Sequence, residues 1–388
     1  MCQEGEQEIS SEGQKVSLIR IRTLTDASPL VKTSGLGAPP DPLRKGIVMS
    51  DAHPRRTRPS PDRRTVLRGA GAATAGALLA PGLLSPAPAT AARAPGVLPT
   101  YTFLREALDT ASLAYNPTGE LIFPCLRGTA GRLPDPPGRF LLYYAPHDAP
   151  GGVCLAYADS PDGPFTEYPG NPVVANVWDP HYRVSHVSSP HVMWNAEHRE
   201  MWLYFHGENT TTRLARSRDG IHFAYEGTVL TTAMVPGTTE ASYARVFEHP
   251  LPDRGSRYVM VFMRNSTGNH RSIGWGWSAD GITFDFDPEP LVSHAEVGVS
   301  DLSGPHLVER GGSTYVAYHT SRGDIRLTEV GRDFGLREHL GTVHTPMAGP
   351  PDSGRSAAPS FGSDGGVQYM FYEAGSRLGA TIAIARAD

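Results

Sequence analysis

The feature that most restricts this chain is a turn repeated at a steady interval. Ser160-Pro161-Asp162-Gly163, Ser217-Arg218-Asp219-Gly220 and Ser278-Ala279-Asp280-Gly281 follow one another at about 60 residues, and each is trailed by a phenylalanine: Phe165, Phe223 and Phe284. Asp-Gly suits a tight turn because Gly accepts a positive φ and Asp bonds its own backbone. One such turn marks any hairpin. Three at one period mark a repeated supersecondary unit, with a strand before each turn.

The rest of the unit is read around these turns. Between Val184 and Phe223, HVSSPHVMW, MWLYFHG and RLARS read as three strands of ordinary length separated by polar or Gly-bearing breaks. The first strand recurs. Ser189-Pro190-His191-Val192 matches Gly304-Pro305-His306-Leu307 and, less closely, Ala358-Pro359-Ser360-Phe361. Phe123-Pro124-Cys125-Leu126 and Tyr243-Ala244-Arg245-Val246 fill the same place in two further units. A strand rich in Tyr and Phe follows each: FLLYYAP, MWLYFHG, RYVMVFM, STYVAYH and VQYMFYE. The expected fold is therefore all-β, a five-bladed β-propeller with four antiparallel strands per blade. The last unit reaches the C-terminus after three strands, TIAIARAD being the third. A strand near Ala111–Tyr115 is expected to complete it, so that the ring has no exposed edge.

With its inner-strand prolines, Ser-x-Asp-Gly turns and five units of fifty to sixty residues, the segment from Leu98 to Asp388 resembles the five-bladed propeller glycoside hydrolases. That group includes the family 43 arabinanase and xylosidase type and the invertase type. The resemblance implies three funnel carboxylates from different blades: a base or nucleophile, a modulator and an acid. Glycoside cleavage uses such paired carboxyls. This chain departs from that pattern. The residues before the inner-strand prolines are Phe123, Ser189, Gly304 and Ala358, the modulator would fall near His191, and the acid near Ser303. The invertase-type Asn-Asp-Pro-Asn-Gly has only a partial counterpart in Asn116-Pro117-Thr118-Gly119, without the Asp.

Upstream of the repeats, residues 1–48 are polar and aperiodic, and Met49 reads as the true start. Arg63-Arg64, the mildly apolar run from Gly69 to Leu84 and the small-residue sites Ala89-Thr90-Ala91 and Ala92-Arg93-Ala94 resemble a twin-arginine export signal. The run is short for a membrane span and is broken by Pro81. The expected organisation is a disordered leader and signal over 1–94 and the propeller over 95–388, secreted, free of the membrane after cleavage, and monomeric. A net charge of −5 gives no basic footprint for nucleic acid. Cys125 and Cys154, on the first and third strands of one blade, are expected to stay too far apart for a disulfide.

The innermost strands of a propeller line a central funnel, so candidate site residues are sought there. His191 and His306 hold the same slot in two blades, with Arg245 at the corresponding slot between them. All three are expected to converge on the funnel, within reach of at least one of Glu120, Glu240 and Asp301, which lie in the loops feeding inner strands. Glu120, His191, Glu240, Asp301 and His306 are the catalytic candidates; carboxyl and imidazole groups supply acid–base chemistry near neutral pH. Arg245, Tyr243, His186, Trp178, Tyr182, His147 and Asp148 are the candidate substrate contacts, with His206 and Glu208 also near the rim. Asp179 and Glu296 are weaker candidates, and Trp275 and Trp277 read as packing. No metal-ligand set is assigned and no cofactor is required, although a propeller channel can hold one water-bridged structural divalent cation. The expected activity is that of a secreted glycosidase on a plant or microbial polysaccharide or oligosaccharide. The alternatives are a lyase on a uronate-containing glycan and a non-catalytic sugar-binding propeller.

Overall fold

Residues 97–388 are described in a computed structural model of the protein. Cys2, Met49 and the twin-arginine segment lie outside the described residues. Blade I pairs Ile122–Gly128, Phe140–Ala145, Cys154–Ala158 and Thr166–Glu167 in order from the axis outward; blade II pairs Val187–Asn195, Glu200–Gly207, Thr211–Ser217 and Ala224–Thr231. Blade III pairs Thr238–Leu251, Ser256–Ser266, Arg271–Ser278 and Asp285–Phe286, and blade IV pairs Leu302–Arg310, Ser313–Thr320, Ile325–Glu329 and Glu338–His344. Blade V takes Ser356–Asp364, Val367–Ala374 and Thr381–Ala387 from the C-terminus, and its outermost strand, Tyr101–Glu106, from upstream of blade I. All five blade sheets are antiparallel and four-stranded, as the repeat predicts, and a two-stranded ribbon of Val177–Trp178 and Tyr182–Arg183 lies in the connection into blade II.

The sealing strand lies upstream of its expected position. Tyr101 pairs with Ala387 and Glu106 with Ala383. Ala111–Tyr115 is not a strand because its backbone is committed elsewhere. Asp109 Oδ1 accepts from Ala111 N–H at 3.1 Å at the start of a 3₁₀ turn, and the Glu167 carboxylate accepts from the N–H groups of Ala114 and Tyr115 at 2.7 and 3.0 Å.

The core is divided into layers between neighbouring blades, because each sheet has two apolar faces. Leu126, Leu142 and Tyr144 of blade I meet Phe371, Ile382 and Ile384 of blade V, while Leu141, Tyr143 and Leu155 on its other face meet Val192, Leu203 and Phe205 of blade II. Trp275 of blade III, stacked on Phe334 at 4.8 Å, fills the layer with blade IV. The repeated turns clasp these layers. Ser217 Oγ and Asp219 Oδ1 accept from the backbone of Gly220 and Ile221 at 2.8 and 2.9 Å, and Tyr143 of the preceding blade donates to the Gly220 carbonyl at 2.7 Å. Blade III repeats the arrangement, with Tyr204 donating to the Gly281 carbonyl at 2.9 Å. Cys125 and Cys154 are buried and unbridged.

One device recurs on every inner strand and positions the site. Phe123, Ser189, Tyr243, Gly304 and Ala358 all have left-handed φ, from 43° to 58°. Each lies at a break in register between the inner strand and its neighbour. A bulge of this kind re-aims the side chains on either side of it.

Candidate active site at the propeller mouth

Beyond the bulge, the residues after each inner-strand proline, or after Ala244 in blade III, form a deep ring: Cys125, His191, Arg245, His306 and Ser360. Arg245 is 2% exposed and crosses the axis. It donates to His306 Nδ1 at 2.6 Å and to the carbonyls of Ala358 and Pro124 at 3.4 and 3.5 Å, thereby joining blade III to blades IV, V and I. His191 is fully buried, with Nε2 donating to the Val246 carbonyl at 2.7 Å and Nδ1 4.0 Å from Cys125 Sγ. Burial and nearby guanidinium groups push both imidazoles well below their usual range. Arg245 and His306 do meet, but the expected open-funnel triad is corrected: His191 and Arg245 are enclosed, and Arg245 serves as a buried strut between blades. His306 borders a cleft with Phe247 and Phe361 toward the other end of the inner strands.

The chemistry at the mouth comes one strand farther out. Opposite the residue preceding each bulge, the second strands place Ala145, His206, Met263, His319 and Glu373 at equivalent positions. Tyr243, itself a bulge residue, stacks on Phe123 at 4.4 Å and places its hydroxyl 3.2 Å from His147 Nε2. Burial raises the Tyr243 pKa to about 12, so the phenol keeps its proton.

On the blade I and II side, Glu120 is 1% exposed. Its Oε1 accepts from the N–H groups of His147 and Asp148 at 3.0 and 3.2 Å, while Oε2 is buried without a partner among the described residues. Burial raises its pKa despite those two amides. His147 is pushed down to about 4 by burial and by Arg377, whose guanidinium lies 2.8 Å from Nδ1; Asp148 Oδ1 lies 3.2 Å from the same nitrogen. His186 and His206 complete a trio of imidazoles with His147, the donor atoms all within 4.8 Å of one another.

On the blade III to V side, a cleft of about 470 Å³ is lined by Arg271, Asp301, Ser303, His319, Arg322, Arg355 and Arg377. Arg271 pairs with Glu240 at 3.0 Å, and its backbone N–H donates to Asp301 at 3.0 Å, so both predicted carboxylates are held on one residue. Buried Glu373 pairs with Arg355 at 2.8 Å and accepts from Phe123 N–H at 3.1 Å.

The predicted site residues thus divide. Glu120, His147, Asp148, His186 and Tyr243 gather on one side of the mouth, and Glu240 and Asp301 on the other. Trp178 and Tyr182 are corrected. They pack in an aromatic group with Tyr225 on the outermost strand of blade II, and Tyr182 is buried beneath Arg213. Exposed Asp179 pairs with Arg183, and Glu296 lies in the short helix His294–Val297 beside His339. Residue-by-residue reading missed Arg271, His319, Arg355, Glu373 and Arg377. His319 and Glu373 share the slot of His206 near the end of the second strand, a signal that alignment of the second strands would have exposed.

No family model matches the sequence, and no curated protein matches it. Solved structures of similar architecture include a glycoside hydrolase with a TM-score of 0.56 at 14% identity, covering 76% of this chain and 92% of that one. A glycosyl hydrolase from Bacteroides ovatus has a TM-score of 0.54 at 10% identity, covering 70% and 84%. An alpha-L-arabinofuranosidase from Lactobacillus brevis has a TM-score of 0.50 at 14% identity, covering 70% and 92%. At these identities the likeness is one of fold, which agrees with the five sheets described above.

Proposed function

We propose that the protein is a glycosidase-type hydrolase acting on a carbohydrate at the propeller mouth. The observation that carries this reading is Glu120: a buried carboxyl with one oxygen held by two backbone amides, the other without a partner, and a raised pKa. Such a group holds its proton more tightly than an ordinary carboxyl and is placed to deliver it to a leaving glycosidic oxygen. Asp301, fixed by the Arg271 amide in the cleft, is the carboxylate assigned to activate water. As the C–O bond breaks, the proton of Glu120 passes to the leaving oxygen, and water adds to the sugar while losing a proton to Asp301. Glu240 orients Arg271. The resemblance of the fold to glycoside hydrolases supports the reaction class.

The experiment is a screen of reducing-end release from arabinan, galactan and related glycans. Activity that falls at least 100-fold in both Glu120→Gln and Asp301→Asn supports the assignment, and unchanged activity in either removes that residue from it. The arginine-lined cleft gives a specific reason for a second reading, a lyase on uronate-containing glycans, with a histidine taking the proton and Tyr243, which keeps its own, donating to the leaving oxygen. Its product carries a conjugated double bond absorbing in the near ultraviolet, which a hydrolase product lacks. Export through the twin-arginine route remains part of the proposal: Arg63→Lys with Arg64→Lys is expected to hold the protein inside the cell, and normal secretion would exclude that route.

A further inference from the structure

The trio of histidines at the mouth has a geometry that the hydrolytic reading leaves unused. Ring centroids are 5.5 Å apart for His147 and His186, 5.6 Å for His186 and His206, and 6.0 Å for His147 and His206, a nearly equilateral triangle. Imidazoles bound at about 2.0–2.1 Å to a tetrahedral ion place their ring centres roughly 5 Å apart. The donor nitrogens lie within 4.8 Å of one another, against about 3.3–3.4 Å for two nitrogens on a tetrahedral ion at 2.0–2.1 Å, so the widest pair must draw together by up to about 1.5 Å to close on one ion.

The hydrogen bonding is independent of that geometry. His206 is completely buried, yet neither of its ring nitrogens has a hydrogen-bond partner among the described residues. His186 contacts Ser185 Oγ through Nδ1 at 3.0 Å and leaves Nε2 buried without a partner among the described residues. A buried polar nitrogen without a partner is unfavourable, and such groups in a native fold ask for an explanation. We propose that His147, His186 and His206 bind a single divalent transition-metal ion of the zinc class.

The donor set decides the class. Three neutral imidazoles suit zinc and its first-row neighbours, whereas calcium and magnesium require oxygen. His147 has an outer partner of the usual kind, since Nδ1 lies 3.2 Å from the Asp148 carboxylate. Binding through Nε2 exchanges the contact with Tyr243 for the ion. Arg377 then gives up Nδ1 and keeps Asp148 Oδ1, now 3.5 Å away. The positive charges of Arg377 and Arg213 oppose a cation here, while the Asp148 carboxylate partly offsets them. Because two ligands come from blade II and one from the loop after the second strand of blade I, the ion joins the two blades. Three protein ligands leave a fourth position beside Tyr243 for water or a substrate oxygen.

The test uses the full chain, without a histidine tag and stripped with chelator. Zn²⁺ is titrated by calorimetry, and Co²⁺ is added in parallel to read the visible absorption of a tetrahedral nitrogen-ligated ion. The expected result is one equivalent bound, with a higher melting temperature and no comparable effect of Ca²⁺ or Mg²⁺. Asp148→Asn should weaken binding about 10–100-fold, and removal of a direct ligand by at least that much. His206→Ala is the direct variant. His186→Gln, at a partly exposed position, decides the matter if His206→Ala does not fold, as judged by circular dichroism. Failure to bind either ion at one equivalent, or unchanged affinity in a folded ligand variant, overturns the site. Neither outcome depends on glycan cleavage.

Discussion

Gly304 shows how narrowly the centre of the ring is fitted. Its slot is occupied in other blades by Phe123, Ser189, Tyr243 and Ala358, all left-handed, so a side chain as such is tolerated there. At Gly304, however, a Cβ would lie 2.8 Å from the Ala358 Cα and 2.9 Å from His319 Nδ1. Left-handed strain contributes about 1–2 kcal/mol, and the backbone contact adds to it. Gly304→Ala is expected to lower stability by roughly 2–3 kcal/mol in urea unfolding, against a typical effect of about 1 kcal/mol for point substitutions. A loss well under that typical value would mean that blades IV and V move apart freely. Arg245 leads to a different expectation. Because it ties four blades together rather than lining an open funnel, Arg245→Ala should destabilise the fold by about 2–4 kcal/mol through unpartnered carbonyls and a cavity. An unchanged urea midpoint would contradict the strut.

At the level of elements, closure rests on Tyr101–Glu106, which pairs with Thr381–Ala387 and packs Tyr101 against Phe361 at 5.8 Å. A chain lacking residues through Glu106 exposes a full strand edge. It is expected to aggregate or lose cooperative melting, whereas a soluble, cooperatively melting deletion would show that blade V stands without its outer strand. The five inner strands and the turns were legible in the sequence because proline, aromatic runs and Asp-Gly recur at one period. The level of each side chain was not. One left-handed residue per inner strand shifts the register, so His191, Arg245 and His306 turn away from the mouth into a deep ring, while His206, His319 and Glu373 one strand out reach the mouth. Trp178 and Tyr182 were misplaced for a related reason: an aromatic in a connection has the same sequence signature at the rim as at the outer edge. The seal was misplaced because Asp109 and Glu167, distant from each other in sequence, together bind the backbone after Leu108 in a non-strand form.

Across the whole molecule, these buried imidazoles make stability depend on mild acid. His191 and His306 remain neutral in the fold, their pKa values pushed well below the usual range by burial and by Arg127 and Arg245. In the unfolded chain each titrates near its ordinary value of about 6.5. Above that pH both states are neutral and the two histidines add no pH dependence. As pH falls below it, the unfolded chain takes up protons that the folded chain refuses, so folding weakens by about 1.4 kcal/mol per pH unit for each histidine. Together they remove roughly 3 kcal/mol per unit, a large fraction of the 5–15 kcal/mol typical of a domain. Asp219 and Asp280 act in a lower window: although partial burial raises their pKa values, hydrogen bonds from His222 to Asp219 and from backbone amides to both turns lower them overall. Their contribution is present above the ordinary carboxylate range and is lost as pH falls through and below about 4. Urea midpoints measured at pH 7, 6 and 5 are therefore expected to fall steeply over the last unit. His191→Gln should reduce that slope by about 1.4 kcal/mol per pH unit, since glutamine does not titrate. A midpoint that stays level from pH 7 to 5, or an unchanged slope in the variant, would show that the axial ring accepts a proton without opening the fold.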